Sequence, residues 1–183
     1  MAVSDKNNFI ENITANKKAV AAIWNLLEEV FDPEIPVLSI IDLGIVRDVV
    51  LSSSSNEDYE GEIVITPTYS GCPAMDAISM DIRLKLIENG YKNIKVSTTL
   101  SPAWTTEWMS EKGKEKLKTS GIAPPNPKQI VCDTKLFAEL EAIQCPLCDS
   151  YSTRLVSQFG STPCKALYQC QHCKEPFDYF KCH

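Results

Sequence analysis

Two short motifs, Cys145-Pro146-Leu147-Cys148 and Cys170-Gln171-His172-Cys173, lie near the C-terminal end of the 183-residue sequence, with residues 149–169 between them. Each Cys-x-x-Cys pair forms a tight turn that directs two thiolates toward one point, and two such turns complete a tetrahedral metal site. Arg154–Gln158 and Ala166–Gln169 are predicted to form a hairpin between the motifs. Residues 144–183 therefore predict a zinc ribbon, with iron as the main rival metal.

The four predicted zinc ligands are Cys145, Cys148, Cys170 and Cys173. Two disulfides or a redox Cys-x-x-Cys are the alternatives, but disulfides are rare in reducing compartments and a thioredoxin-like motif needs a βαβ context. Residues 144–183 are too few to bury much apolar surface. Metal binding would therefore supply much of their folding free energy.

Several further residues near these motifs have no place in a closed four-cysteine site. His172 is expected to face solvent. Cys164 and Cys182 are either buried thiols or a second thiol site, and their spacing leaves both interpretations open. Cys132 and His183 receive no role.

Charge and hydropathy limit the classes of partner. The net charge of −6 argues against a nucleic-acid or membrane partner, since both require a basic face. Residues 1–16 lack the apolar core of a signal peptide, and no run approaches the roughly 18 apolar residues of a membrane helix. We therefore expect a cytoplasmic protein, in which eight cysteines serve metal or thiol chemistry.

Hydrophobic periodicity predicts the remaining elements. They are a helix at 17–31, strands at 45–51 and 62–66, a helix at 73–88, a strand at 94–100 and a helix at 108–118. This order predicts an α+β fold, a small helix–hairpin–helix–strand domain followed by a C-terminal zinc ribbon. The expected boundaries are a first domain at 1–127, a linker at 128–143 and the ribbon at 144–183.

Cys72 is a second place where chemistry is expected. It precedes Pro73 at the start of a predicted helix, where the helix dipole and free amides should lower the thiol pKa. Hairpin topology brings Asp42 to the same edge, and the loop containing Asp32 and Glu34 can reach it. The alternative is a half-buried capping cysteine with solvated acids nearby. One cysteine cannot hold an iron–sulfur cluster without a second chain, other ligands or tail cysteines.

Three stretches resemble the small domain of SufT-type iron–sulfur assembly factors. They are Asp32-Pro33-Glu34-Ile35-Pro36-Val37-Leu38, Asp42-Leu43-Gly44 and Thr66-Pro67-Thr68-Tyr69-Ser70-Gly71-Cys72-Pro73-Ala74. Residues 102–108, 121–125, 159–168 and 175–182 are similar to the PaaD family of phenylacetate-degradation proteins, also called PaaJ. The resemblance covers nearly the whole chain in the right order.

The resemblance implies a role in aerobic phenylacetate breakdown. Such proteins accompany the multicomponent oxygenase that epoxidises phenylacetyl-CoA, and the implied role is maturation of its iron or iron–sulfur centres, especially those of its iron–sulfur reductase. Cys72 would then handle transient iron or a cluster, assisted by Asp42 and Glu34. The resemblance also strengthens the hypothesis that Cys164 and Cys182 form a second thiol site.

Three functional hypotheses follow. The first is an accessory or maturation factor, and the second is a non-catalytic adaptor that stabilises the oxygenase complex. An oxygen-activating enzyme is disfavoured, because the sequence has no Glu-x-x-His pair for a diiron site and no glycine-rich nucleotide loop. A cluster shared by two Cys72 residues would imply a homodimer.

Overall fold

The computed structural model describes residues 16–53, 59–125 and 143–181. These residues form three helices and seven strands. In chain order they are α1 (16–27), β1 (Val46–Ser53), β2 (Tyr59–Ile65), α2 (Ala74–Glu88), β3 (Asn93–Thr98), α3 (Glu111–Thr119), β4 (Ile122–Ala123), β5 (Thr153–Ser157), β6 (Lys165–Cys170) and β7 (Pro176–Phe180). The predicted α+β fold with a C-terminal ribbon is confirmed. No helix among the described residues is long and apolar enough to span a membrane.

The first sheet has the strand order β1-β2-β3. The predicted hairpin is confirmed, since β1 pairs antiparallel with β2 and Val49 lies opposite Ile63. β3 then pairs parallel with β2, and α2 makes the crossover between them. Ile78 and Ile82 of α2 are buried, as their four-residue spacing predicts. The end of β2 and the start of β1 therefore share one edge, from which the Cys72 loop departs.

Helix α1 ends at residue 27, four residues before the end of its predicted span of 17–31. The chain then turns so that Ile40 N donates to Val30 O at 2.9 Å. Phe31 leaves the predicted apolar stripe and is 45% exposed. After this turn, residues 32–38 form an irregular loop.

The helix predicted at 108–118 is also divided. A 3₁₀ turn covers Thr106–Trp108, and α3 begins only after Ser110. The Ser110 hydroxyl accepts a hydrogen bond from Gly113 N at 2.8 Å, so it caps α3. Periodicity alone does not reveal this cap, which sets the true start of the helix.

The second sheet has the order β4-β7-β6-β5. The hairpin of β5 and β6 agrees with the prediction, whereas β7 has no counterpart in it. β4 was not predicted from the sequence: Ile122 and Ala123 pair parallel with β7. A backbone segment next to an open strand edge gains ladder hydrogen bonds. Of the linker at 128–143, only Ile143 is described.

Side chains of the second sheet enter the core of the first. Phe180 of β7 is 1% exposed, and it belongs with Cys164 to the apolar cluster formed mainly by residues 23–117. A smaller cluster lies within the ribbon around Phe177 and Tyr168. An ion pair of 2.8 Å between Lys118 and Asp149 adds a surface contact. The ribbon therefore packs directly against the N-terminal α+β part.

Candidate functional site

The structure brings the four predicted zinc ligands together. The Sγ atoms of Cys145 and Cys173 are 3.8 Å apart, those of Cys148 and Cys170 are 3.6 Å apart, and all four lie within 4.8 Å of one another. A tetrahedral site with metal–sulfur bonds of about 2.3 Å places its sulfurs about 3.8 Å apart. The geometry therefore fits one four-coordinate ion.

Each motif folds into a similar turn. Asp149 and Lys174 follow the two motifs, and both adopt the left-handed backbone conformation, with φ of 58° and 69°. The Cys170 Sγ accepts hydrogen bonds from His172 N and Cys173 N at 3.4 and 3.5 Å. Burial raises the pKa of Cys170, but these amides and the Cys148 thiol outweigh it and lower the pKa to about 6. The thiolate form is thus favoured at Cys170, whereas the pKa of Cys145 and of Cys173 is raised. The His172 side chain is exposed.

Cys72 lies in the loop between β2 and α2 and is half-buried. Helix α2 begins at Ala74 with Pro73 as its N-cap, one residue later than predicted. The predicted lowering of the Cys72 pKa is wrong. Burial raises that pKa, the Glu34 and Asp32 carboxylates raise it further, and the Ala74 N–H and Tyr69 hydroxyl only partly oppose them. Desolvation and negative charge therefore outweigh the helix terminus.

A tight turn fixes the carboxylates near Cys72. The Asp32 Oδ1 accepts hydrogen bonds from Glu34 N at 2.7 Å and Ile35 N at 2.8 Å. Burial raises the pKa of Asp32, and these two amides partly offset the effect. Asp32, which the sequence placed in the loop that reaches the Cys72 edge but gave no role of its own, thus holds the backbone from which Glu34 extends.

Cys164, from the turn before β6, contacts one of these carboxylates, that of Glu34. Its side chain is buried, its Sγ lies 3.7 Å from Glu34 Oε2, and the Thr162 Oγ1 is 3.0 Å away. Burial raises the pKa of Cys164 to about 11, and Glu34 and Asp32 contribute to the shift. Its predicted companion Cys182 lies outside the described residues, as do Cys132 and His183.

Asp42 has a different set of contacts. Its buried carboxylate accepts hydrogen bonds from Ser110 Oγ at 3.0 Å, Ser39 N at 3.3 Å and Lys116 Nζ. Burial alone would raise the pKa of Asp42, but the bonds from Lys116, Ser110 and Ser39 outweigh it and lower the pKa. These contacts hold the loop before β1 against α3. Asp42 therefore has a structural role.

Comparisons with known proteins agree with both halves of this description. Residues 20–97 match the family described as iron–sulfur cluster assembly protein, and residues 131–181 match the PaaD zinc beta ribbon domain. The chain is 48% identical over 164 residues to a protein of Escherichia coli (strain K12) that is named as a subunit of 1,2-phenylacetyl-CoA epoxidase. The alignment covers 89% of this chain and 93% of that protein.

Two further relatives match the N-terminal part. An Fe-S protein maturation auxiliary factor of Porphyromonas gingivalis (strain ATCC BAA-308 / W83) is 35% identical over 98 residues, which are 52% of this chain and 87% of that protein. The crystal structure of a domain of unknown function, DUF59, from Bacillus anthracis superposes with a TM-score of 0.51 at 30% identity. It covers 58% of this chain and 97% of that one. These matches account for the first sheet and its helices.

Proposed function

The chain belongs to the PaaD family, and we propose that it is a maturation factor of the phenylacetyl-CoA oxygenase. In this proposal it helps to assemble the iron–sulfur or iron centres of the oxygenase, and it catalyses no step of the epoxidation. The match of residues 20–97 to iron–sulfur assembly proteins supports the proposal.

The observation that carries the proposal is the pairing of a half-buried thiol with fixed carboxylates. Cys72 is accessible enough to bind incoming iron, while Asp32 and Glu34 supply negative charge beside it. Thiolate is the usual protein ligand of iron–sulfur clusters. Because the thiol pKa is raised, the resting residue keeps its proton and exchanges it for iron during loading. We therefore assign iron handling to Cys72 and Glu34.

We propose zinc as the resident ion of the ribbon. The donor set of four thiolates, with no open ligand position, is that of a structural zinc site. The ion would hold both Cys-x-x-Cys turns and so give the ribbon a rigid surface for a client. The clients proposed are the oxygenase components, above all the iron–sulfur reductase.

An adaptor that only stabilises the oxygenase complex is the second candidate. The observation in its favour is a set of large apolar side chains on the ribbon that are more than half exposed. They are Leu147 at 55%, Tyr151 at 61%, Val156 at 52% and Phe159 at 61%. Exposed apolar side chains of this size are common where proteins dock. A maturation factor must dock as well, so this surface does not separate the two candidates.

The test is to co-express the chain with the reductase component without oxygen and to measure iron and sulfide in the purified reductase. Cys72→Ser should lower the reductase cluster content while the variant itself stays folded and keeps its zinc. Glu111→Gln, at a side chain that is 89% exposed, serves as the control. Normal reductase iron with Cys72→Ser would contradict maturation through Cys72, and stable co-purification in that case would favour the adaptor.

A further inference from the structure

We propose that helix α2 carries a docking surface for a basic amphipathic helix of a partner protein. The surface is an exposed row of apolar side chains, which we call the α2 stripe, and its members are Ala77, Met80, Leu84 and Ile87. The inference goes beyond the proposed function, because it concerns the kind of partner segment that α2 binds and holds for a maturation factor and an adaptor alike.

The first argument is that α2 has two apolar faces. One face, which includes Ile78 and Ile82, is buried in the main apolar cluster. The other lies on the opposite side of the helix, where Met80, Leu84 and Ile87 are 53%, 50% and 51% exposed. A surface helix of a globular protein normally carries polar residues on that side. The packing of the described residues therefore does not explain the second face.

The second argument is the spacing of the α2 stripe. Its members follow one another at intervals of three, four and three residues, which is the heptad spacing of helices that pack side by side. At a rise of about 1.5 Å per residue, the stripe from Ala77 to Ile87 is about 15 Å long, which matches about three turns of a partner helix. The spacing thus favours a helix as the occupant.

A groove beside the α2 stripe offers the partner helix a second wall. The groove has a volume of about 330 Å³ and lies between α2 and residues 29–31. Phe31, which is 45% exposed, lines it together with Leu84 of the stripe. Amphipathic helices dock by placing their apolar anchors in grooves of this kind. An apolar side chain of the partner would therefore enter between Phe31 and Leu84.

Charge identifies the partner helix as basic. Asp81 and Glu88 line the groove, and neither forms an ion pair within the part of the chain that the structure describes. The lysine of the groove, Lys85, is already paired with Glu29 at 2.8 Å. The groove therefore keeps the negative charges of Asp81 and Glu88. Lys or Arg residues beside the apolar stripe of the partner would complement them.

A second copy of this chain fits the α2 stripe less well. If two α2 helices paired antiparallel, the flank with Asp81 and Glu88 would face the same flank of the other copy, so that like charges would meet. If they paired parallel, Glu88 would face Arg83 but Asp81 would face Asp76, so the gain and the loss would cancel. The charges therefore favour a different protein as the partner.

The experiment measures binding of a model peptide to the full chain, loaded with zinc, by fluorescence anisotropy. The probe is a labelled helical peptide of three heptads, with Leu at both core positions of each heptad and Lys beside them. We expect it to bind the wild type. Leu84→Ser should weaken binding about tenfold or more, since a central apolar anchor is lost. Val156→Ser, at an exposed side chain of β5, is the control and should bind as the wild type does.

A second peptide, with Glu in place of every Lys, tests the charge of the partner. It should bind the wild type about tenfold more weakly than the basic peptide, because the groove is acidic. The double variant Asp81→Lys with Glu88→Lys should reverse this preference. Added salt should weaken binding of the basic peptide to the wild type, since it screens exposed charges.

The inference fails if the basic peptide does not bind the wild type, binds Leu84→Ser as tightly, or binds no better than the acidic peptide. A wild-type dimer in sedimentation that Leu84→Ser dissociates would also overturn it, because a second copy would then occupy the stripe. Retained zinc and an unchanged circular dichroism spectrum verify folding, and Met80→Ser replaces Leu84→Ser if that variant does not fold. No iron is involved, so these outcomes are separate from those of the maturation test.

Discussion

The indole of Trp104 packs edge-on against the ring of Phe180, with ring centroids 6.1 Å apart and planes at 78°. Trp104 belongs to the N-terminal part, where its Nε1 donates to Leu43 O at 2.9 Å, and Phe180 ends the last strand of the ribbon. Aromatic pairs in this arrangement contribute beyond their buried area. One contact therefore couples the stability of the ribbon to that of the first sheet.

Phe180→Ala should lower the free energy of unfolding by about 3–5 kcal/mol, because the fully buried ring leaves a cavity beside Trp104. Urea unfolding of the zinc-loaded protein measures the loss. Val156→Ala, on an exposed side chain of β5, should change the free energy of unfolding by less than about 0.5 kcal/mol. Equal effects of the two substitutions would contradict the coupling.

Asp42→Asn should destabilise the protein by about 1–3 kcal/mol at pH 7, because the carboxylate is buried and accepts a charged hydrogen bond from Lys116. The pKa of Asp42 is lowered in the folded state, so its stabilisation is complete above the ordinary value of 3.8 and is lost as the pH falls through the lower folded value. The difference in free energy of unfolding between Asp42→Asn and the wild type should therefore disappear as the pH falls below 3.8.

Urea midpoints measured from pH 7 to pH 3 test this dependence. Glu111→Gln is the control, since Glu111 is 89% exposed and its pair with Lys114 should contribute little. Loss of a ribbon metal at low pH would affect all three proteins alike. If the difference in stability between Asp42→Asn and the wild type stays constant down to pH 3, the charge of Asp42 is not the cause of that difference.

Gly44→Ala should destabilise the protein by about 2–4 kcal/mol. Gly44 has a φ of +67°, and an added methyl group would overlap the Trp108 carbonyl. Gly90→Ala is the matched control, because Gly90 has a φ of +90° with open space around it, and it should cost only about 1–2 kcal/mol. Thermal unfolding of both variants is the measurement. Both substitutions strain the backbone, so the extra loss in Gly44→Ala measures the overlap with the Trp108 carbonyl.

A strong chelator should unfold the sheet of β5, β6 and β7. The sheet of β1, β2 and β3 should stay folded but exchange its amides faster, because it loses the contact between Phe180 and Trp104. The ribbon has only a small apolar cluster, so the four-thiolate centre supplies much of its stability. Amide hydrogen exchange measured by mass spectrometry reports each sheet separately. The same chelator saturated with zinc is the control, and unchanged protection of β6 in free chelator would refute the prediction.

Local patterns in the sequence predicted much of this structure. The spacing of Ile78 and Ile82 indicated α2, and the two Cys-x-x-Cys motifs indicated a centre that the structure assembles. Such signals depend on residues near each other in the chain. The boundaries of α1 and α3 were missed, because the end of α1 depends on a contact between Val30 and Ile40 and the start of α3 on the Ser110 cap.

The sequence by itself determined the fold class, the family and the four clustered ribbon thiols, since periodicity and motif spacing are properties of short segments. Only the tertiary structure decided that Cys164 meets Glu34, that β4 joins β7, and that the pKa of Cys72 is raised. The physical reason is that contacts between distant segments, and the desolvation they cause, arise from packing of the whole chain.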